Sequence, residues 1–335
     1  MQRKLESYFK VVINHDTKHK KCFIYDPKNS IAYFTFEPNA GDSFVAKKTG
    51  VKLYYRSFTD KPCEVEYPII RTSASIPLLK SNLQKAIRRG DTINAVHTAL
   101  ALLQKSPNEF FRRLAIIYIE DVTLFDNYSI IVWLMMASSD YTPTNNDYAI
   151  IINIVHNLTI CPKYYRFGNM ESDSRGDDQK EGDVEEVVTT FSHEFLETCA
   201  NHSQLLALHY RRLYGGMKGD MLMLDKAIMH YIYNPSEMEM MTQISFHIAE
   251  PIAHLSILDA AIDFHPFPNL LNILSRLTFI KKDVLSEIIW HAESGYNFRK
   301  TFTIMNSEAY KERSEWRTIE KHLKAVRAQL FVETL

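Results

Sequence analysis

The spacing of apolar residues changes near Pro77. Before it they fall in short runs, KVVINHD, KCFIYD, SIAYFTFEP, VKLYYRSF and CEVEYPII, rich in Val, Ile, Tyr and Phe. Turn chemistry separates the runs at Asp26-Pro27, Asn39-Ala40-Gly41 and Asp60-Lys61-Pro62. This pattern predicts a small antiparallel β module over residues 11–75. RTSASIP then reads as a connector, with Pro77 suited to a helix start.

From Pro77 the period is helical. LLKSNLQKAIRRGD puts Leu79, Leu83 and Ile87 four apart, with Gly90 as the stop signal. TINAVHTALALLQKS predicts a second helix, closed by Ser106-Pro107. NEFFRRLAIIYIEDV, YSIIVWLMMASS and NNDYAIIINIVHNLTICP predict three more. Residues 168–186, GNMESDSRGDDQKEGDVEE, are acidic and nearly free of large apolar side chains, which predicts a mobile loop. Helical patterning resumes with VVTTFSHEFLETCANHSQLLALHYRRLY; GGMKGD is a turn before MLMLDKAIMHYIY, and Pro-marked turns divide the remainder. The expected fold class is therefore mainly α, a small N-terminal antiparallel β module followed by a long multi-helical domain over 76–335.

Composition narrows the class without naming a chemistry. At 335 residues, 46% hydrophobic and 24% charged, the chain has ordinary globular proportions. A net charge of −1 argues against a nucleic-acid coat but leaves local basic patches open. The four cysteines form no CxxC pair, so neither a zinc framework nor a disulfide scaffold is indicated. The start is charged from Arg3 with no apolar signal core. The most apolar run is broken by Glu120, Asp121, Asp126 and Asn127, so no membrane span is expected. An intracellular protein is the expectation.

The opening, MQRKLESYFK, fits Q-x-x-[ILM]-x-x-aromatic-aromatic at every position through Gln2, Leu5, Tyr8 and Phe9. It resembles the PIP box by which replication and repair proteins dock on the sliding clamp PCNA. A single 3₁₀ turn brings side chains at i, i+3 and i+4 to one side, so Leu5, Tyr8 and Phe9 would form an apolar plug. Arg3, Lys4 and Lys10 would speed encounter with an acidic surface. The competing reading makes YFKVVI the first strand of the β module.

A second resemblance lies in SNLQKAIRRGDTINAVHTALALLQKSPNEFFRRLAIIYIEDVTLFD. It is similar to the C-terminal helical region of RarA/MgsA-type ATPases, relatives of clamp loaders. The matching residues are Ser81, Leu83, Lys85, Ala86, Ile87, Arg88, Gly90, Asp91, Arg112, Arg113, Glu120, Asp121 and Val122, with Thr123 where that family usually has glycine. No GxxxxGK[ST] and no AAA+ module precede the match, so the resemblance implies a collar-like or self-associating domain without a motor. Arg88-Arg89, Arg112-Arg113 and Arg211-Arg212 are candidate phosphate contacts; their alternative role is pairing with carboxylates or helix ends.

For catalysis, the most chemical stretch is HIAEPIAHLSILDAAIDFHPFPNLL. On a helix Asp259 and Asp263 would stand at i, i+4 with His265 just beyond, a weak metal-site candidate. The thirteen histidines are mostly single, and SHEFLETCANH is not HExxH. IIWHAESGYNFRK has the texture of a pocket lining (Trp290, His291, Ser294, Asn297, Arg299) or of a satisfied helix junction, and FHPFP could approach it. Neither a catalytic constellation nor a cofactor is expected. The leading expectation is a non-enzymatic replication or repair accessory factor, in the nucleus or a viral replication compartment. Residues 1–10 would dock on a PCNA-type clamp, and the helical domain would contact DNA, a partner or a second copy. The alternatives are a metal-dependent DNA-processing hydrolase and a structural protein whose opening motif is fortuitous.

Overall fold

The computed structural model describes residues 22–35, 42–56, 67–165, 202–240 and 255–333. It is mainly helical, with a small four-stranded sheet near the N-terminus and a multi-helical region after it. The strands are β1 (Cys22–Asp26), β2 (Ile31–Thr35), β3 (Asp42–Val45) and β4 (Lys52–Tyr55). The first five helices are α1 (Ile76–Arg89), α2 (Thr92–Lys105), α3 (Pro107–Asp121), α4 (Tyr128–Ala137) and α5 (Asn145–Ile160). They are followed by α6 (Ser203–Leu213), α7 (Lys218–Tyr233), α8 (Leu270–Thr278), α9 (Lys282–Ile289), α10 (Thr301–Glu312) and α11 (Ser314–Glu333). Among the described residues no helix is long and apolar enough to cross a membrane.

Contacts divide the chain into two compact units that cut across the linear order. The first draws its described residues from Met1–Asp60, Leu124–Tyr141 and Tyr165–Met240. Its sheet has the order β2-β1-β4-β3. The pairs β1/β2 and β3/β4 are antiparallel, but β1/β4 is parallel, so the sheet is mixed where an antiparallel one was expected. The reason lies in β1, CFIYD, whose residues are all buried. A strand that apolar takes a central position, with neighbours on both edges and cover on both faces. Two hairpins in tandem satisfy it when the second docks through β4, which then runs the same way as β1. Helix α4 covers this sheet and is buried at every position, as a helix apolar on all sides but for Ser129 must be. Trp133 Nε1 donates to the Phe23 carbonyl at 3.0 Å, and its ring lies 5.0 Å from that of Tyr25. Phe34 stacks between Phe23 (3.9 Å) and Tyr210 of α6 (5.2 Å).

The second unit is helical, from Lys61–Thr123, Thr142–Tyr164 and Met241–Leu335. Its helix ends lie where the local chemistry put them. Ser75 Oγ caps α1 by accepting from Leu78 N, and Pro77 sits in the first turn. Gly90 ends α1 at φ 69°, and Asp91 immediately caps α2 by accepting from Asn94 N. Thr144 and Asp147 form a capping box on α5. A separate core joins α8, α9 and α11 through Leu270, Leu274, Leu285, Ile288, Ile289, Trp316, Ile319, Leu323 and Val326.

Four expectations need amendment or lie elsewhere. β3, DSFV, belongs to no anticipated run, because four residues are too short to display a period. Residues 67–70 at the end of CEVEYPII are not a strand. GGMKGD is a turn only to Met217, since α7 already begins at Lys218. Asp259 and Asp263 do not share a helix: residues Asp259–Ala261 form a single 3₁₀ turn that ends at Ile262. The docking motif at 2–9, KVVINHD, the acidic stretch 168–186 and the helical pattern before residue 202 lie outside the described residues.

Candidate functional site

In the second unit α1 places Ser81, Lys85 and Arg88 at i, i+4 and i+7, all on one buried face. Three cations or polar heads on a buried face demand partners. Lys85 Nζ lies 2.9 Å from Asp263 Oδ2 and donates to Ser81 Oγ at 3.0 Å. Arg88 donates from Nε to Asp121 Oδ1 at 2.5 Å, from Nη2 to Glu120 Oε1 at 2.7 Å and from Nη1 to the Ser294 carbonyl at 3.1 Å. Gln84 donates to both carboxylates, Asp121 Oδ2 at 2.7 Å and Glu120 Oε2 at 2.8 Å. Asn297 Nδ2 donates to the Asp121 carbonyl at 3.0 Å, and the Trp290 ring lies 5.5 Å from the Arg88 guanidinium.

These groups titrate as a neutralised cluster. Burial opposes the charge on Arg88, but Asp121 and Glu120 outweigh it and raise its pKa above the ordinary guanidinium value. Burial would raise Asp121, yet Arg88, Lys300 and the hydrogen bonds from Arg88 and Gln84 bring it below the ordinary carboxylate value. Asp263 behaves alike: burial raises it, while the His265 hydrogen bond and the Lys85 charge pull it well below that value. Burial lowers Lys85, and Asp263 opposes the shift.

A second knot closes helix ends. Arg299 donates to the carbonyls of Ile87 (2.9 Å), Thr159 (2.9 Å), Cys161 (2.6 Å) and Leu158, so one guanidinium satisfies the C-terminal ends of α1 and α5. Burial lowers its pKa to about 10. Between α9 and α10 the chain makes a π-helical turn, Trp290–Ser294. Arg327 of α11 reaches this turn, with Nη2 2.7 Å from Glu293 Oε2, and donates from Nε to the Ile262 carbonyl at 2.9 Å. π-turns are frequent at functional positions. Here the turn exposes the Ser294 carbonyl to Arg88 and the Ala292 carbonyl to Ser307 Oγ at 2.7 Å.

The candidate phosphate contacts resolve into distinct roles. Arg88 is 4% exposed and spent on carboxylates, and Arg211 is 2% exposed and donates to the Gly215 carbonyl at 3.1 Å; neither is placed to meet a phosphate. That corrects both assignments, for the reason that buried guanidinium needs internal acceptors. Arg89 donates to the carbonyls of Lys85 and Glu293, and burial lowers it to about 10. Arg212 holds Asp225 through two bonds, at 2.9 and 3.3 Å. Arg112 and Arg113 are half-buried on α3, and with Lys80 (2.7 Å from Glu109 Oε2) they hold Glu109 below its ordinary value. Four of the six belong to the helical unit and two to the sheet-bearing one.

Of the metal candidates, Asp259 is exposed on the 3₁₀ turn, whereas Asp263 is fully buried with its oxygens taken by Lys85 and by His265 N and Nδ1 (2.9 and 3.1 Å). No group of three or more His, Cys, Asp or Glu suited to a metal occurs among the described residues. FHPFP does approach the polar stretch, with the His265 and Trp290 rings 5.7 Å apart. Ser294, Asn297 and Arg299 there are buried and serve the junction. Sequence reasoning missed Lys85 and Asp263 as partners, 178 residues apart, and Arg327 with Glu293. Only the scarcity of apolar residues on the α1 face carried a signal.

Compared with protein-family models, with curated proteins and with solved structures, the chain finds no match.

Proposed function

We propose that the protein is a non-enzymatic accessory factor of DNA replication or repair, recruited to a PCNA-type sliding clamp. The observation that carries this reading is the complete match of Gln2, Leu5, Tyr8 and Phe9 to the clamp-docking pattern, flanked by Arg3, Lys4 and Lys10. Its energy would come from burying three apolar side chains in one pocket. Lys85 and His265 occupy the carboxylate of Asp263, and Arg88 that of Asp121, which favours a scaffold over a hydrolase built on Asp259, Asp263 and His265. Recruitment then works through effective concentration: the peptide holds the folded units beside clamp-loaded DNA, where the helical region contacts DNA, a partner or a second copy.

Calorimetric titration of the full chain against PCNA, beside a Leu5→Ala/Tyr8→Ala/Phe9→Ala variant, tests this. Micromolar or tighter binding by the wild type, lost in a variant with the same melting curve, is the expected result. A folded wild type that does not bind removes the reading. A variant that no longer folds assigns the motif to the core instead.

A further inference from the structure

Phe279 follows the last residue of α8 in the left-handed region, at φ 58° and ψ 16°. It is 93% exposed. Both facts work against folding. Glycine occupies this conformation freely, whereas a bulky side chain is strained there. An exposed ring also contributes nothing to the core beneath it. The turn does not need the ring to hold its shape. Phe279 N donates to the Ser275 carbonyl at 3.0 Å, Ser275 Oγ donates to the Ile280 carbonyl at 2.7 Å, and Ile280 N donates to Thr278 Oγ1 at 3.3 Å. Ile280, the next residue, is the one that packs against the core of α8, α9 and α11. The ring is thus presented on a pinned backbone, at a conformational cost that folding does not explain.

Its neighbours are cationic. Arg276, Lys281 and Lys282 are all exposed, no carboxylate stands between residues 276 and 282, and Asp283 follows in the first turn of the next helix. An exposed aromatic plane among three cations matches the two needs of a single-stranded nucleic acid, a surface for base stacking and charge for the phosphates. A protein pocket that gripped one aromatic would ordinarily bury an apolar cluster around it. Here Thr278 and Ile280 are half-buried, Leu277 is the one exposed apolar side chain next to the ring in sequence, and the other exposed neighbours, Arg276, Lys281 and Lys282, are cationic.

We propose that the α8–α9 turn is a single-strand nucleic-acid contact, in which Phe279 stacks on a base and Arg276, Lys281 and Lys282 meet the adjoining phosphates. This replaces Arg88 and Arg211 as DNA contacts; it rests on the nucleic-acid half of the function proposed above and is independent of clamp docking.

The test is fluorescence anisotropy of a dye-labelled oligothymidylate with the full chain, repeated across a salt series. Phe279→Gly is the informative variant, because it relieves the strained backbone while removing the ring. The expected result is wild-type binding weakened on the order of tenfold in Phe279→Gly, with a melting temperature equal to or above wild type. Phe279→Trp retains binding. Lys281→Glu/Lys282→Glu weakens binding and flattens its salt dependence by roughly one unit of slope or more. Wild-type binding that Phe279→Gly leaves unchanged overturns the turn as the contact but not the DNA reading. Absence of any wild-type binding overturns both. Polyglutamate competing as well as unlabelled oligothymidylate makes the partner an acidic peptide and overturns the proposal, and so does a lower melting temperature in Phe279→Gly, which makes the ring a packing residue.

Discussion

Arg88 Nε stands 2.5 Å from Asp121 Oδ1 with side-chain exposures of 5% and 2%, joining the last turn of α1 to the final residue of α3. The pair also balances two helix ends. A cation near the end of α1 is favoured by the helix dipole, whereas a carboxylate ending α3 is not. Arg88 therefore stabilises Asp121 where its own helix would not.

Breaking this pair strips a buried charge of its most buried partner, leaving Arg88 with Glu120 and Asp121 with Gln84. Asp121→Asn is expected to cost about 3 kcal/mol or more in chemical denaturation, and Arg88→Met a similar amount. Arg88→Met combined with Asp121→Leu should lose less than the sum of the singles, because the two sites couple directly. An Asp121→Asn protein as stable as wild type would mean that the pair does not hold α1 to α3.

Gly90 carries a different constraint. Its φ of 69° excludes side chains without strain, and an added Cβ would stand 3.2 Å from Phe298 Cε1. Gly90→Ala should destabilise by about 1–2 kcal/mol from the left-handed backbone alone. Thermal unfolding measures it. A neutral result would require the α1–α2 turn to relax away from Phe298.

Arg299→Lys tests the carbonyl knot. An ammonium has three donors on a flexible stem and cannot reproduce a planar fork that reaches four carbonyls. Each carbonyl left dry costs about 1 kcal/mol or more. A loss of about 2 kcal/mol or more is expected, together with faster hydrogen exchange in the last turns of α1 and α5. Unchanged exchange there would separate Arg299 from both helix ends.

The first unit should weaken in mild acid. Burial lowers His209 to about 4, below the unfolded value of about 6.5. Between those values the unfolded state binds the extra proton, so stability is full above about pH 6.5 and is lost as pH falls toward 4. Hydrogen exchange of α6, corrected for intrinsic rates, should quicken over that window in the wild type and less so in His209→Gln. In the second unit, burial lowers His97, His156 and His291 in the same sense. Asp263, whose folded value is depressed, adds stability that is present above about pH 4 and lost below it. Exchange in α6 that ignores pH across this range would contradict a buried neutral His209.

The helices from Pro77 onward were legible because their boundary signals are local. Pro77, Gly90 and Ser106-Pro107 act within one turn of themselves, and the structure stops and starts its helices there. The apolar run of β1 was equally plain, but its parallel neighbour was not, because strand pairing is a choice between distant segments. Asp259 and Asp263 show the opposite error. Their spacing fits a helix, but the structure forms only a single 3₁₀ turn over Asp259–Ala261.

The site was less legible than the fold. KAIRRGD and EDV could be picked out as a pattern, and IIWHAESGYNFRK as a polar stretch, but their meaning depends on bonds between residues 33 and 206 positions apart. Phe279 gave no warning at all, since an aromatic after an amphipathic helix ordinarily packs.

By itself, then, the sequence determined where the helices from Pro77 to Ser106-Pro107 begin and end, and that a sheet precedes a mostly helical body, because propensity, caps and periodicity are properties of neighbouring residues. The tertiary structure alone decided which arginines are buried, which carboxylates neutralise them and which ring is left in water. Burial removes the solvent that would otherwise satisfy a charge, and the partner that must replace it is chosen by packing rather than by spacing along the chain.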